Sequence, residues 1–128
     1  MLIYLHVMKN NFTIIIADQK EPGAHFKLLP QSENITCLYA ANAGEALLLG
    51  ANNPGADMVL ISADLEGMMG FDTVKELVTQ FINRPVILLC TYVNLSTIKL
   101  AGMLGCSDVL KAPIDSYSLR SIMNSYSV

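Results

Sequence analysis

The feature that most constrains this chain is a set of five short β-prone runs separated by stretches of helical periodicity. The runs are Phe12 to Ala17 (FTIIIA), Ile35 to Ala40 (ITCLYA), Met58 to Ser62 (MVLIS), Val86 to Cys90 (VILLC) and Asp108 to Lys111 (DVLK). Three of them are apolar at nearly every position instead of at every second one. A strand buried on only one face alternates apolar and polar residues, whereas unbroken apolarity over five or six residues fits a strand covered on both faces. That environment is typical of a parallel sheet with helices on either side, and the intervening segments have the length such crossovers need.

The segments between the runs carry helix punctuation. Glu21 to Leu29 has Pro22 at a first helical position and Pro30 just beyond the end, with Phe26 and Leu29 as its apolar residues. Ala43 to Gly50 (AGEALLLG) reads as a helix that Gly50 caps. The polar loop Asn52-Asn53-Pro54-Gly55 introduces the third strand, and Gly67 and Gly70 mark the stretch after it, Ala63 to Gly70, as a loop. Asp72 is a fit N-cap or first-turn residue for a helix with Val74, Leu77, Val78 and Phe81 on its apolar stripe. Asn94 to Leu104 forms the next, with Ile98, Ala101 and Leu104 as its core residues and Gly105 at its end. Pro113 stops the fifth strand, and Asp115 caps a last helix that buries Leu119, Ile122 and Met123. Five strands alternating with five helices predict an α/β fold, a doubly wound five-stranded parallel sheet sandwiched between helices.

Composition narrows the function classes. The 128 residues include 8 Lys+Arg and 11 Asp+Glu, a net charge of -3, with 52% hydrophobic and only 15% charged residues. A chain of this size forms one domain with a sufficient core, and its apolar content excludes disorder. Its surface is expected to be weakly charged. The cations Lys9, Lys20, Lys27, Lys75, Arg84, Lys99, Lys111 and Arg120 are scattered singly, which excludes a nucleic-acid stripe. Cys37, Cys90 and Cys106 are widely spaced and have no histidine beside them, so they read as reduced core thiols of a cytoplasmic protein and not as a metal set. The apolar start MLIYLHV has no basic segment before it and meets Lys9-Asn10-Asn11. It is neither a secretory signal nor a membrane span, and residues 1–11 read as an extension preceding a domain over 12–128.

In a doubly wound sheet, function sits at the carboxyl ends of the strands. Here those ends carry Asp18 and Gln19, Ser62 to Gly67, Cys90 and Thr91, and Lys111 to Pro113. No GxxxxGK or GxGxxG loop follows the first strand, and Ser62 lies in no GxSxG elbow and has no late histidine to activate it. What remains is Asp18, Ser62, Asp64 and the nearby Glu66. These carboxylates admit two readings: weak ligands for a hard cation such as Mg2+, or caps and solvated loop residues.

From about Phe12 to Val128 the chain resembles a response-regulator receiver domain. The resemblance rests on TIIIADQK, NAGEAL, ADMVLISADLEGMMGF, RPVILLCT and GCSDVLKAPI. It implies the flavodoxin-like strand order 2-1-3-4-5 and a place in bacterial two-component signalling or a phosphorelay. It also implies a phosphoacceptor Asp eight residues before a glycine, and counting back from Gly70 places Ser62 there. The acidic pair becomes Asp18 and Gln19, the hydroxyl residue ending the fourth strand becomes Cys90, and the charge-neutralising Lys becomes Ala112 beside the retained Pro113. The aromatic switch position is Val109. Lys111 lies one residue from the required place, on the opposite face of the strand.

The expected function is accordingly that of a pseudo-receiver: a non-enzymatic, phosphorylation-independent protein-interaction module without a cofactor. Its protein partner, which includes a second copy of the chain, is expected on a face comprising Leu95, Lys99, Met103, Val109, Lys111, Tyr117 and Arg120, with the loop Leu65 to Met69 as a second patch. Neither a membrane nor a nucleic acid is an expected partner. Two other classes stay open: a phosphoacceptor receiver that uses Asp64 with Mg2+, and an unrelated α/β ligand-binding domain.

Overall fold

The computed structural model describes residues 12–18, 35–65, 67, 71–112 and 114–126. Within them the chain runs β1 (Phe12–Ala17), β2 (Ile35–Ala40), α1 (Ala43–Asn52), β3 (Met58–Ser62), α2 (Asp72–Gln80), β4 (Val86–Cys90), α3 (Leu95–Leu104), β5 (Asp108–Lys111) and α4 (Ser116–Tyr126). All five strands fall on the runs read from the sequence. They form one parallel sheet in the order β2-β1-β3-β4-β5. The helix expected over Glu21 to Leu29 and the extension 1–11 lie outside the described residues.

The sheet divides the core by strand parity. Ile15, Val59, Ile61, Val86 and Leu88 face one way, into a cluster with Ala46 of α1, Val74 and Leu77 of α2, and Ala101 and Leu104 of α3. Ile14, Ile16, Met58, Leu60, Ile87 and Leu89 face the other way and pack with Leu119, Ile122 and Met123 of α4. Because successive side chains point to opposite faces, β3 and β4 bury every residue and need apolar ones throughout. Among the described residues no helix is long and apolar enough to cross a membrane.

A polar clamp at the amino ends of the strands sets the register of β1 and β3. The Asp57 N–H donates to the Thr13 carbonyl at 2.8 Å, and the Thr13 N–H donates back to Asp57 Oδ2 at 2.8 Å. Arg84 Nη1 lies 3.6 Å from Asp57 Oδ1 and donates to the carbonyls of Gly55 at 3.1 Å and Ala56 at 2.6 Å. The guanidinium therefore ties the turn entering β4 to the turn entering β3.

Helix ends follow local chemistry, with two corrections. Asn94 and Thr97 form a reciprocal capping box on α3, and Gly105 closes that helix at φ 87°. The Asp115 carboxylate accepts the Ser118 N–H at 2.6 Å, as a cap should. Gly50, by contrast, does not end its helix: α1 continues to Asn52, and Asn53 caps it. A Cβ on Gly50 would lie 3.1 Å from Leu77 and 2.5 Å from the end of Gln80, so this glycine serves the contact of α1 with α2. Ile98 does not share the buried stripe of α3. A spacing of three falls short of a full turn, so positions 98, 101 and 104 drift around the helix, and only Ala101 and Leu104 reach the core.

Two substitutions test these anchors by urea denaturation. Asp57→Ala removes the acceptor of the Thr13 N–H and the anion beside Arg84, and is expected to cost about 1–3 kcal/mol. Gly105→Ala forces a Cβ into left-handed backbone and to within 2.9 Å of Val78, with an expected loss of about 1–2 kcal/mol.

Candidate functional site

The carboxyl ends of β1, β3, β4 and β5 bring Asp18, Ser62, Asp64, Cys90 and Ala112 to one end of the sheet. Asp18 is buried just past β1, where its N–H extends the ladder to the Ala40 carbonyl at 3.0 Å. Ser62 is buried at the last position of β3, opposite Leu89 of β4. Its Oγ accepts the Asp64 N–H at 3.2 Å, and its carbonyl accepts the Leu65 N–H at 3.2 Å, so the chain turns tightly over the serine. Leu65 is buried beneath that turn while Asp64 stays exposed.

The Asp64 carboxylate receives one long hydrogen bond, from Thr91 Oγ1 to Oδ2 at 3.4 Å. Cys90, one residue earlier, is buried. Its thiol is pushed upward in pKa, first by burial and then by the negative charge of Asp64. The Cys90 carbonyl accepts the Ala112 N–H at 2.8 Å, and the Ala112 methyl packs on the α4 side of the sheet. Gln19 and Pro113, with Glu66 and residues 68–70, lie outside the described residues. Among the described residues no group of three or more His, Cys, Asp or Glu is placed to hold a metal ion.

No protein-family model matches the sequence, and no curated protein matches it. Solved structures do. The chain is similar to the receiver domain of a Francisella response regulator, at 26% identity and a TM-score of 0.75, over 91% of this chain and 97% of that one. It is similar to the signal receiver domain of an HD domain-containing protein from Pseudomonas fluorescens Pf-5, at 24% identity and a TM-score of 0.77, over 91% and 94%. A two-component response regulator from Clostridium difficile matches at 19% identity and a TM-score of 0.78, over 91% and 95%. The chain has the receiver-domain fold.

On the receiver fold, the residues expected to form an interaction face spread over α3, β5 and α4. Leu95 is 73% exposed, Met103 84% and Tyr117 82%, and Lys99 and Lys111 are also at the surface. Arg120 is half-buried. Val109 is half-buried too, with its side chain packed against the cluster under α3. Three local features were not foreseen from the sequence. Ile98, taken for a core residue, is 52% exposed, and Tyr92 is exposed in the turn between β4 and α3. Thr91 had been noted only as a strand-end position, and nothing in its neighbours announced a bond to a residue 27 positions away.

The thiols are only partly core residues: Cys90 is buried, whereas Cys37 and Cys106 are half-buried, and all three are free. Burial pushes Cys37 up, and burial with the proximity of Cys90 carries Cys106 up to about 11. Tyr39, on edge strand β2, is raised to about 12 by burial and by the adjacent Cys37 thiol. Each of these groups holds its proton more tightly in the folded chain than in the unfolded one. Their contribution is therefore complete below the ordinary values of 9.0 for Cys and 10.0 for Tyr, and stability falls as pH rises from about 9 toward 12. Urea midpoints measured across that window should decline. Iodoacetamide at about pH 8 should modify the native thiols at least about tenfold more slowly than those of the urea-unfolded chain.

Proposed function

We propose that this chain is a pseudo-receiver: a non-enzymatic signalling domain that binds a protein partner independently of phosphorylation. The observation that carries this reading is Ser62, buried at the end of β3 with its hydroxyl accepting the Asp64 N–H. A serine hydroxyl is a weak nucleophile without an adjacent base, and it supplies no charge to a divalent cation. The neighbouring strand ends carry a thiol whose pKa burial raises, at Cys90, and a methyl group at Ala112. Receiver switching needs contacts that differ between the phosphorylated and free states, and neither group offers a phosphoryl dianion a strong donor or a positive charge.

Support for a signalling role comes from the structural neighbours, which include receiver domains of response regulators and of an HD domain-containing protein. The partner face in this reading is the outer surface of α3, β5 and α4, where Leu95, Met103 and Tyr117 expose apolar area that a solitary domain gains nothing by exposing. A cytoplasmic setting, a protein as the partner and no resident cofactor complete the proposal.

The Thr91 to Asp64 hydrogen bond favours a second reading, in which Asp64 accepts a phosphoryl group with Mg2+ and Thr91 steadies it. Incubation with acetyl phosphate and Mg2+, followed by intact-protein mass spectrometry, separates the two. The pseudo-receiver is expected to gain no phosphoryl mass and to show the same sedimentation coefficient with and without the donor. A gain of one phosphoryl group that disappears in Asp64→Asn, or a stable beryllium trifluoride adduct, overturns it in favour of the second reading.

A further inference from the structure

One side of α1 is not accounted for by the domain itself. The helix, AGEALLLGAN, holds one charge in ten residues, and apolar side chains lie in nearly every direction around it. A helix that is apolar all round belongs inside a protein. Here Ala43, Ala46 and Gly50 are buried, Leu47 and Leu49 flank them partly buried, and Leu48, on the opposite side, is 61% exposed. The single charge is already engaged: the Glu45 carboxylate accepts the Ala41 N–H at 3.0 Å, folding back over the start of the helix.

The exposed residues of α1 are arranged to fit their own copy. At about 100° per residue, Gly44 and Ala51 lie to one side of Leu48 and Glu45 and Asn52 to the other, and all five are exposed. A twofold axis between two antiparallel α1 helices, passing at Leu48, keeps each side against the same side of the other copy and reverses the order along the helix. It sets Leu48 against Leu48, Gly44 beside Ala51 and Glu45 beside Asn52, the last two pairs each formed twice. The small pair lets the backbones approach closely, and within the domain a Cβ on Gly44 would meet only Asn42 Oδ1, at 3.4 Å. The polar pair offers each Glu45 carboxylate an amide donor from the other copy, while the two carboxylates stay at opposite ends of the crossing. Antiparallel helix dipoles add a small attraction.

The elements packed against α1 set no single-sign field against this pairing. Strands β1 and β2 carry no charge, and α2 exposes Lys75 together with Asp72 and Glu76. We infer that the outer side of α1 is the contact through which two copies of this chain associate, antiparallel about Leu48. A helix of this length spans about 15 Å, and one such crossing buries less than the roughly 800 Å² per partner of a stable interface, so the association is weak. No strand-end residue takes part, which makes the inference independent of the pseudo-receiver reading.

The test is sedimentation equilibrium of the full chain from about 10 μM to 1 mM, where the average mass is expected to rise from monomer toward dimer. Leu48→Glu should weaken association at least about tenfold with an unchanged melting temperature, because the side chain it replaces is exposed. Asn52→Asp sets a carboxylate against Glu45 and should weaken association about threefold, whereas Asn52→Lys should strengthen it. Mild oxidation of Leu48→Cys should link two chains, and oxidation of Met103→Cys, exposed on α3, should not. The inference is overturned by a monomer throughout the concentration range, by association that survives Leu48→Glu or is abolished by Leu95→Glu, or by Asn52→Asp and Asn52→Lys acting in the same direction. Phosphoryl transfer is read separately by mass, so failure here and failure of the pseudo-receiver reading are distinguishable.

Discussion

Everything in this domain hangs on the two-sided burial of β3. The strand lies between β1 and β4, and each of its five residues is enclosed, Val59 and Ile61 beneath α1, α2 and α3, Met58 and Leu60 toward α4. A slip of one residue would exchange the two sets and drive the sequence into the wrong layer on both faces at once. The Asp57, Thr13 and Arg84 clamp opposes that slip at the amino end by a reciprocal pair of hydrogen bonds that only one register satisfies. With its start fixed, the strand delivers Ser62 to the same height as the ends of its neighbours. The positions of the strand-end residues are thus set by packing that does not depend on what those residues do.

This independence explains what was legible in the sequence. The strands were readable because a buried parallel strand imposes apolarity at consecutive positions, and FTIIIA, MVLIS and VILLC satisfy that without exception of consequence. Caps made by side chains, such as Asp115, were readable for the same local reason. Gly50 was misplaced because a glycine that ends a helix and a glycine that admits a neighbouring helix look alike in one dimension. Ile98 was misplaced because the choice between the two faces of a largely apolar helix depends on where the sheet lies, which periodicity alone does not tell.

The site was legible at the level of which residues occupy it and illegible at the level of what they touch. Counting back from Gly70 brought Ser62 into view, and the receiver-like segments RPVILLCT and GCSDVLKAPI brought Cys90 and Ala112. The bond from Thr91 to Asp64 and the turn that closes over the Ser62 hydroxyl depend on how two loops from distant parts of the chain meet. The low charge of the sequence takes on a double origin in this light. Part of it is apolar surface, spread over Leu48, Ile82, Tyr92, Tyr117 and the outer side of α3, and part is the uncharged Ser62, Cys90 and Ala112 at the strand ends.

The two ends of α3 are both fastened, the first by the reciprocal Asn94 and Thr97 bonds and the last by the left-handed Gly105 seated against Val78. A helix held this way cannot fray or change pitch at modest cost, so its outer residues keep a fixed spacing. The freedom that remains on this face lies in its side chains, above all those of Met103 and Lys99, its two long flexible groups. Backbone order and side-chain mobility are thus separated on one helix, the first set by its two ends and the second left to its outer surface.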